Sequence, residues 1–353
     1  MRSSHRFSLG ALCAMLLSAI SITRARAQDA PSATAPISRD ELVRRLTKYL
    51  DSLSAIDQFS GLVVVAPTGG GTPIFQRAYG LADRATRRTN NLETAFNLGS
   101  INKVFTATAI RQLAAAGKID LDSTLAQYLP DYPNQAVARR ITIRQLLQMR
   151  SGIGGDIFGT PANGDRHSIR TNGDYLPLFV NEALLFDPGT QQQYSNAGFV
   201  VLGLVIERVS GERYYDYVRR HVYEPAGMTR TAHYAVDSLP PNTAIGYTRG
   251  GDNALPNATL RANTAMLPGR GSAAGGGYST ADDLLRFLGA IRANRIPGAP
   301  PSGLGVAGGA PGLNAILEGD LPGGYDVVVF ANLDPPAAMS VGRTIRTWLG
   351  ARD

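Results

Sequence analysis

The sequence predicts an α+β fold: an antiparallel β-sheet flanked by helices, with an all-helical lobe beside it. Three observations carry this. Near the start, "FSGLVVVAPTGGGTPIFQRAYG" holds two apolar runs around a Gly-rich turn, which reads as a β-hairpin over residues 61–66 and 73–79. Near the end, "YDVVVFANLD" reads as a further strand. Between them the periodic segments are helical, so strands from both ends of the chain must meet in one sheet with the helices inserted.

The elements follow in order. Residues 1–27 have Arg2 and Arg6 at the start, an apolar run from Leu9 to Ile22, and small Ala25 and Ala27, the layout of a secretory signal peptide cut after Ala27. The apolar run is shorter than the ~20 residues of a spanning helix, so no stable membrane insertion is expected after cleavage. The chain's single cysteine, Cys13, follows bulky Leu12, which argues against lipid attachment. Residues 28–37 read as a flexible polar tether. A helix begins at Ser38, where Ser38 and Glu41 have capping-box spacing ahead of Leu42, Val43, Leu46, Tyr49 and Leu50. The "TGGGT" of the hairpin leads into a strand rather than a helix, so it is a turn and not a phosphate loop.

A helical pattern then runs from Ser100 to Ala116, with Ile101, Phe105, Ala109 and Leu113 on one face and Gly117 closing it. "TIRQLLQMRSG" and "GFVVLGLVIERVSGERYYDYVRRHVYEPAGM" are the best helices of the middle region. "GRGSAAGGGYST" reads as a loop that approaches other backbone closely. "STADDLLRFLGAIRAN" is a helix capped by Ser279 or Thr280, and a last amphipathic helix starts near Pro335. The expected organisation is a domain over 38–353 with an α/β lobe at about 38–99 and 281–353 and a helical lobe at about 100–280.

Composition narrows the function. The whole chain has 35 Lys+Arg against 28 Asp+Glu. Four of the arginines and none of the acids lie in residues 1–27, leaving a surplus of three without a basic cluster. Nucleic acid is not implied. Without the leader the chain has no cysteine and only His167, His221 and His233, so disulfides, thiolate metal sites and helical His pairs are absent from the pattern. No metal or organic cofactor is implied.

Lysine is rare: Lys48, Lys103 and Lys118 are the only three. Lysine, unlike arginine, loses its proton when its surroundings lower its pKa. In "FNLGSINKVFTATAI" Ser100 and Lys103 stand three apart on a helix, on one face about a turn apart. A serine in the first turn lies near free N–H groups and the positive end of the helix dipole. A neutral lysine there could take its proton. A helix cap followed by an exposed lysine would give the same four residues. The second candidate is "QYSNAGFVVLG", where Tyr194 could exchange a proton and Asn196 could orient a substrate amide or the lysine. An ordinary turn, with Asn196 as helix cap and Tyr194 packed beneath, fits the same stretch.

Together these elements resemble the serine β-lactamase and penicillin-binding-protein superfamily, most closely its class C β-lactamase and esterase-like branch. The resemblance runs from about Asp40 to Trp348 and rests also on "IDLDSTLAQYLPDYP", "ITIRQLLQMRSGI", "FDPGTQQQYSNAGFVVLGLVIERVSG", "YEPAGMTRT", "AAGGGYSTADDLLRF" and "GGAPG". It implies the β-lactamase/transpeptidase-like fold, with the site between the lobes. It further implies Ser100 as the acylated nucleophile, Lys103 as its activating lysine, Tyr194 as a partner in proton transfer and Asn196 as the substrate-orienting residue. The Ser100 N–H would be half of an oxyanion hole.

The pattern breaks at the third motif, a Lys or His, any residue, then Gly. "GLGVAGGAPG" puts Val306 at the cationic position, Gly308 at the glycine, and Gly309 where the second oxyanion N–H is expected. The missing cation would have paired a substrate carboxylate and helped to keep Lys103 neutral. The chain between Ala293 and Gly305 is also short, and Pro297, Pro300 and Pro301 are poor material for a strand. The expected function is therefore an exported serine hydrolase acting on small-molecule acyl substrates, neutral esters or small amides above all. The alternatives are a β-lactamase or D-alanyl carboxypeptidase, and a non-catalytic ligand-binding relative.

Overall fold

The computed structural model describes residues 37–159, 161–250 and 258–351; the signal peptide expected at 1–27 lies outside the described residues. Helix α1, Arg39–Ala55, starts where its cap stands: the Ser38 side chain accepts from the Glu41 N–H at 3.3 Å. Its Leu42, Leu46 and Leu50, four apart, form the buried stripe. Strands β1, Gly61–Pro67, and β2, Phe75–Tyr79, make the expected hairpin. A single 3-10 turn, Gly99–Ile101, leads into α2, Asn102–Ala115, and Gly117 with φ +68° follows its end.

The middle of the chain is mostly short helices around α3, Asn196–Ser210. Its Phe199, Val200, Val201, Leu202, Val205 and Ile206 are all buried, as in a helix enclosed by its neighbours. "TIRQLL" forms Ile143–Leu147 with a complete Thr142/Gln145 capping box. Helix α4, Ala281–Arg292, is capped by Thr280, the second of the two expected caps. The chain then passes through residues 293–304 without a strand. It closes with β3, Gly305–Ala310, β4, Leu313–Leu321, β5, Tyr325–Ala331, and helix α5, Ala337–Trp348.

The five strands form one antiparallel sheet in the order β2-β1-β5-β4-β3. Alternation sends Leu62, Val64, Leu317, Val328 and Phe330 to the face that meets the helical middle and α4. Val63, Val65, Ile316, Val327 and Val329 go to the other face, against α1 and α5. Both faces are covered, so the central strands read as unbroken apolar runs rather than alternating ones.

Strand β4 was not expected from the sequence. "LNAILEGDL" is interrupted by Asn314 and Glu318, both buried in the fold. Each is satisfied at long range. Asn314 donates to the Gly308 carbonyl at 2.9 Å and accepts from the N–H groups of Ala338 and Met339, while Arg346 meets Glu318 at 3.3 Å. Buried polar groups are tolerated where such partners exist, and local sequence does not show them.

Candidate active site

Ser100 sits in the 3-10 turn that opens α2, where the first N–H groups have no partner inside the helix. Gly99 makes that position possible. Its φ is +51°, and a Cβ on it would lie 2.9 Å from Leu313 Cδ1 and 3.0 Å from the Gly309 nitrogen. The edge strand β3 presses in from the other side. A Cβ on Gly308 would meet the Leu98 carbonyl oxygen at 2.0 Å and the Ser100 nitrogen at 2.8 Å, so only bare backbone fits. The β3 backbone at Gly308 and Gly309 is thus brought against the Ser100 N–H.

One turn along, the Lys103 amine reaches three oxygens. It lies 3.1 Å from Ser100 Oγ, 2.7 Å from Asn196 Oδ1 and 2.6 Å from the Ala274 carbonyl. The side chain is 6% exposed. No carboxylate forms a salt bridge with it among the described residues. Burial of the charged form pushes its pKa down from 10.5 to about 7. Two N–H bonds to Asn196 and Ala274 leave the third tetrahedral direction facing Ser100, filled by a proton in the ammonium and by a lone pair in the amine.

Tyr194 closes the other side. Its hydroxyl shares a short hydrogen bond with Ser100 Oγ, and its ring lies over the lysine, with 4.7 Å from Nζ to the centroid. The ring is half exposed, not packed beneath a helix, and burial of the hydroxyl raises its pKa. Asn196 does not cap α3. Ser195 does, accepting from the Gly198 N–H at 3.0 Å, and this leaves the Asn196 amide to Lys103. Lys103 and Tyr194 therefore converge on the Ser100 hydroxyl, and Asn196 holds the lysine.

The loop of residues 271–277 supplies the Ala274 carbonyl and approaches as closely as its glycines suggested. A Cβ on Gly275 would lie 3.0 Å from the Gly99 carbonyl, and one on Gly277 would lie 2.3 Å from Asn102 Oδ1. Val306 packs, partly buried, against the core on the sheet face that carries the site, and no lysine or histidine takes its place there. Ser100, Asn196 and Gly309 line a cleft that is partly open to solvent.

Sequence reasoning missed the supports behind this loop. Asn172 Oδ1 accepts from the Ala273 N–H at 2.9 Å, and Thr106 on α2, its hydroxyl bonded to that of Tyr214 at 2.8 Å, donates to the Ala273 carbonyl at 2.6 Å. Buried His233, held neutral with its pKa near 3, bonds Asn102 at 2.8 Å. The Ala274 carbonyl had no side-chain signal to find. The run of glycines beside it was the only hint.

Comparison with known proteins gives the family. The Beta-lactamase family model matches residues 42–338. Penicillin-binding protein 4* of Bacillus subtilis (strain 168) is 33% identical over 54% of this chain, which spans only 42% of that protein. Esterase EstB of Burkholderia gladioli is 31% identical over 84% of this chain and 81% of its own length. Among solved structures, a penicillin binding protein from Bacillus halodurans superposes with a TM-score of 0.73 at 29% identity, covering 84% of this chain and 99% of that one. With the family model matched over most of its length and the fold shared with its relatives, the chain belongs to the Beta-lactamase family of serine hydrolases.

Proposed function

We propose that the protein is an exported serine hydrolase that acylates Ser100 and then hydrolyses the acyl-enzyme, acting on esters or small amides. The observation that carries this is the buried Lys103 amine, 3.1 Å from Ser100 Oγ, with the Tyr194 hydroxyl on the same oxygen. A pKa of about 7 leaves roughly half the amines neutral at neutral pH, the range in which a general base works best. The amine, relayed through Tyr194, takes the Ser100 proton as Oγ bonds to the substrate carbonyl carbon. The negative charge that forms on the carbonyl oxygen meets the N–H groups of Ser100 and Gly309. The proton passes by Tyr194 to the departing alcohol or amine as its bond to carbon breaks. Water then gives a proton to the same pair as its oxygen bonds to the acyl carbon, and the pair returns that proton to Ser100 Oγ as the Oγ–carbon bond breaks, releasing a carboxylic acid. Asn196 holds Lys103 in line and faces the bound acyl group.

Export is supported by the leader-like layout of residues 1–27. Among the described residues no helix is long and apolar enough to cross a membrane. The substrate preference is supported by Val306, which offers nothing to a substrate carboxylate. A fluorophosphonate probe should label the mature protein at Ser100 and leave Ser100→Ala unlabelled; no Ser100-dependent labelling would refute the hydrolase. The matched penicillin-binding proteins favour a second reading, a β-lactamase or D-alanyl carboxypeptidase. Robust turnover of a chromogenic cephalosporin would promote it. Stable acylation without release would instead mark a ligand-binding relative.

A further inference from the structure

Away from Tyr194, the cleft beside Ser100 is walled mainly by carbon, with Ile157, Phe158, Val236, Leu267, Pro268 and Leu313 along it. Tyr194 is not among the lining residues. Since Tyr194 hands its proton to the leaving group, that group lies on the tyrosine's half-exposed side. The acyl group must then extend the other way, into the cleft. Exposed Phe158 and Met266 continue the apolar surface at the rim.

The far wall is made of two loops, at residues 157–159 and 266–268, and one side chain joins them. Arg166, in the short turn Arg166–Ser168, donates from Nε to the Met266 carbonyl at 2.9 Å and from Nη2 to the Ile157 carbonyl at 3.5 Å. Its Nη1 donates to the Gly159 carbonyl. No carboxylate forms a salt bridge with this guanidinium among the described residues. Its charge is met by three carbonyl dipoles, in a planar fork that a lysine cannot copy.

We propose that the cleft binds an apolar acyl chain and that Arg166 is the positioning residue that sets how long that chain can be. The substrate class is then esters of apolar carboxylic acids. This rests on Ser100 being the acylated residue. Each methylene moved from water into such a wall favours binding by about threefold to fourfold. Selectivity should therefore climb with chain length until the wall held by Arg166 is reached.

The test is kcat/KM for p-nitrophenyl esters from acetyl to dodecanoyl, with a glutaric acid monoester beside them. Wild type, Arg166→Met and Val236→Phe are compared, with thermal melts to follow folding. In wild type kcat/KM should rise about threefold to fourfold per methylene over the first few and then level off. Arg166→Met should lower the octanoyl-to-acetyl ratio about tenfold, through KM, while the pH midpoint of acylation stays in place. Val236→Phe narrows the cleft and keeps the arginine in the chain, and should lower the same ratio even if Arg166→Met does not fold. A flat or falling wild-type series, or preference for the glutaric monoester, overturns the apolar acyl site. An unchanged ratio in folded Arg166→Met overturns the role of Arg166, and an unchanged ratio in Val236→Phe overturns the placement of the chain. Absence of Ser100-dependent turnover for every ester would sink the hydrolase itself, and this proposal with it.

Discussion

Raising pH across neutrality perturbs the proposed base and little else at Ser100. With a pKa of about 7 for Lys103, the neutral amine is about one-tenth of the population at pH 6, half at pH 7 and nine-tenths at pH 8. An exposed lysine at 10.5 would be neutral on the order of a thousandfold less often at pH 7. Burial at 6% exposure thus supplies a thousandfold in usable base. The second-order rate of Ser100 acylation by a fluorophosphonate should fall about fivefold from pH 7 to 6 and gain no more than about twofold above pH 7. Lys103→Met keeps the stem and removes the amine; it should cost about 10²–10⁴ in acylation and erase the rising limb. Stability carries the same signature. The folded lysine sheds its proton at about 7 and the unfolded one holds it to 10.5, so the unfolded state binds more protons between those values and stability rises with pH. The slope is about 1.4 kcal/mol per pH unit, or roughly 2–3 kcal/mol from pH 7.5 to 9.5, and denaturant titrations should lose it in Lys103→Met. Acylation that is flat from pH 6 to 9, or that rises only near pH 10, would refute an amine neutralised by burial.

Gly308→Ala forces a methyl to within 2.0 Å of the Leu98 carbonyl, so it should cost about 1–3 kcal/mol in a denaturant titration and remove Ser100 labelling. Asn172→Ala leaves the buried Ala273 N–H without its acceptor at 2.9 Å. We expect about 1–3 kcal/mol of lost stability there and slower acylation, because the Ala274 carbonyl that aims Lys103 is loosened. Val306→Lys restores a cation on a strand that is paired in register with β4, Val306 opposite Leu317. Turnover of a chromogenic cephalosporin should rise about tenfold or more, the worth of one charged hydrogen bond, while neutral esters gain little. No gain would point to the short stretch ahead of β3 as the larger defect.

Much of the site was legible because it is local. Ser100 and Lys103 are one helical turn apart, so their meeting follows from helix geometry alone. The cap at Ser38, the hairpin and the stop at Gly117 are likewise written in neighbouring residues. The glycines of 271–277 and of β3 announced close backbone approach, though not to what. Asn196 was ambiguous between cap and ligand because both uses need the same polar residue ahead of an apolar helix. Only the fold shows that Ser195 takes the cap.

The sequence by itself determined the order of elements apart from β4, the family, and a serine–lysine pair on one helical face, since the patterns that mark them are local to the chain. Tertiary structure alone decided that the lysine is buried with its pKa lowered, that the Tyr194 ring and the Ala274 carbonyl lie against it, and that Arg166 ties two loops across the cleft. The physical reason is that a pKa and a cleft wall depend on which atoms exclude water at a point. Here those atoms come from segments about 90 to 170 residues apart in the chain.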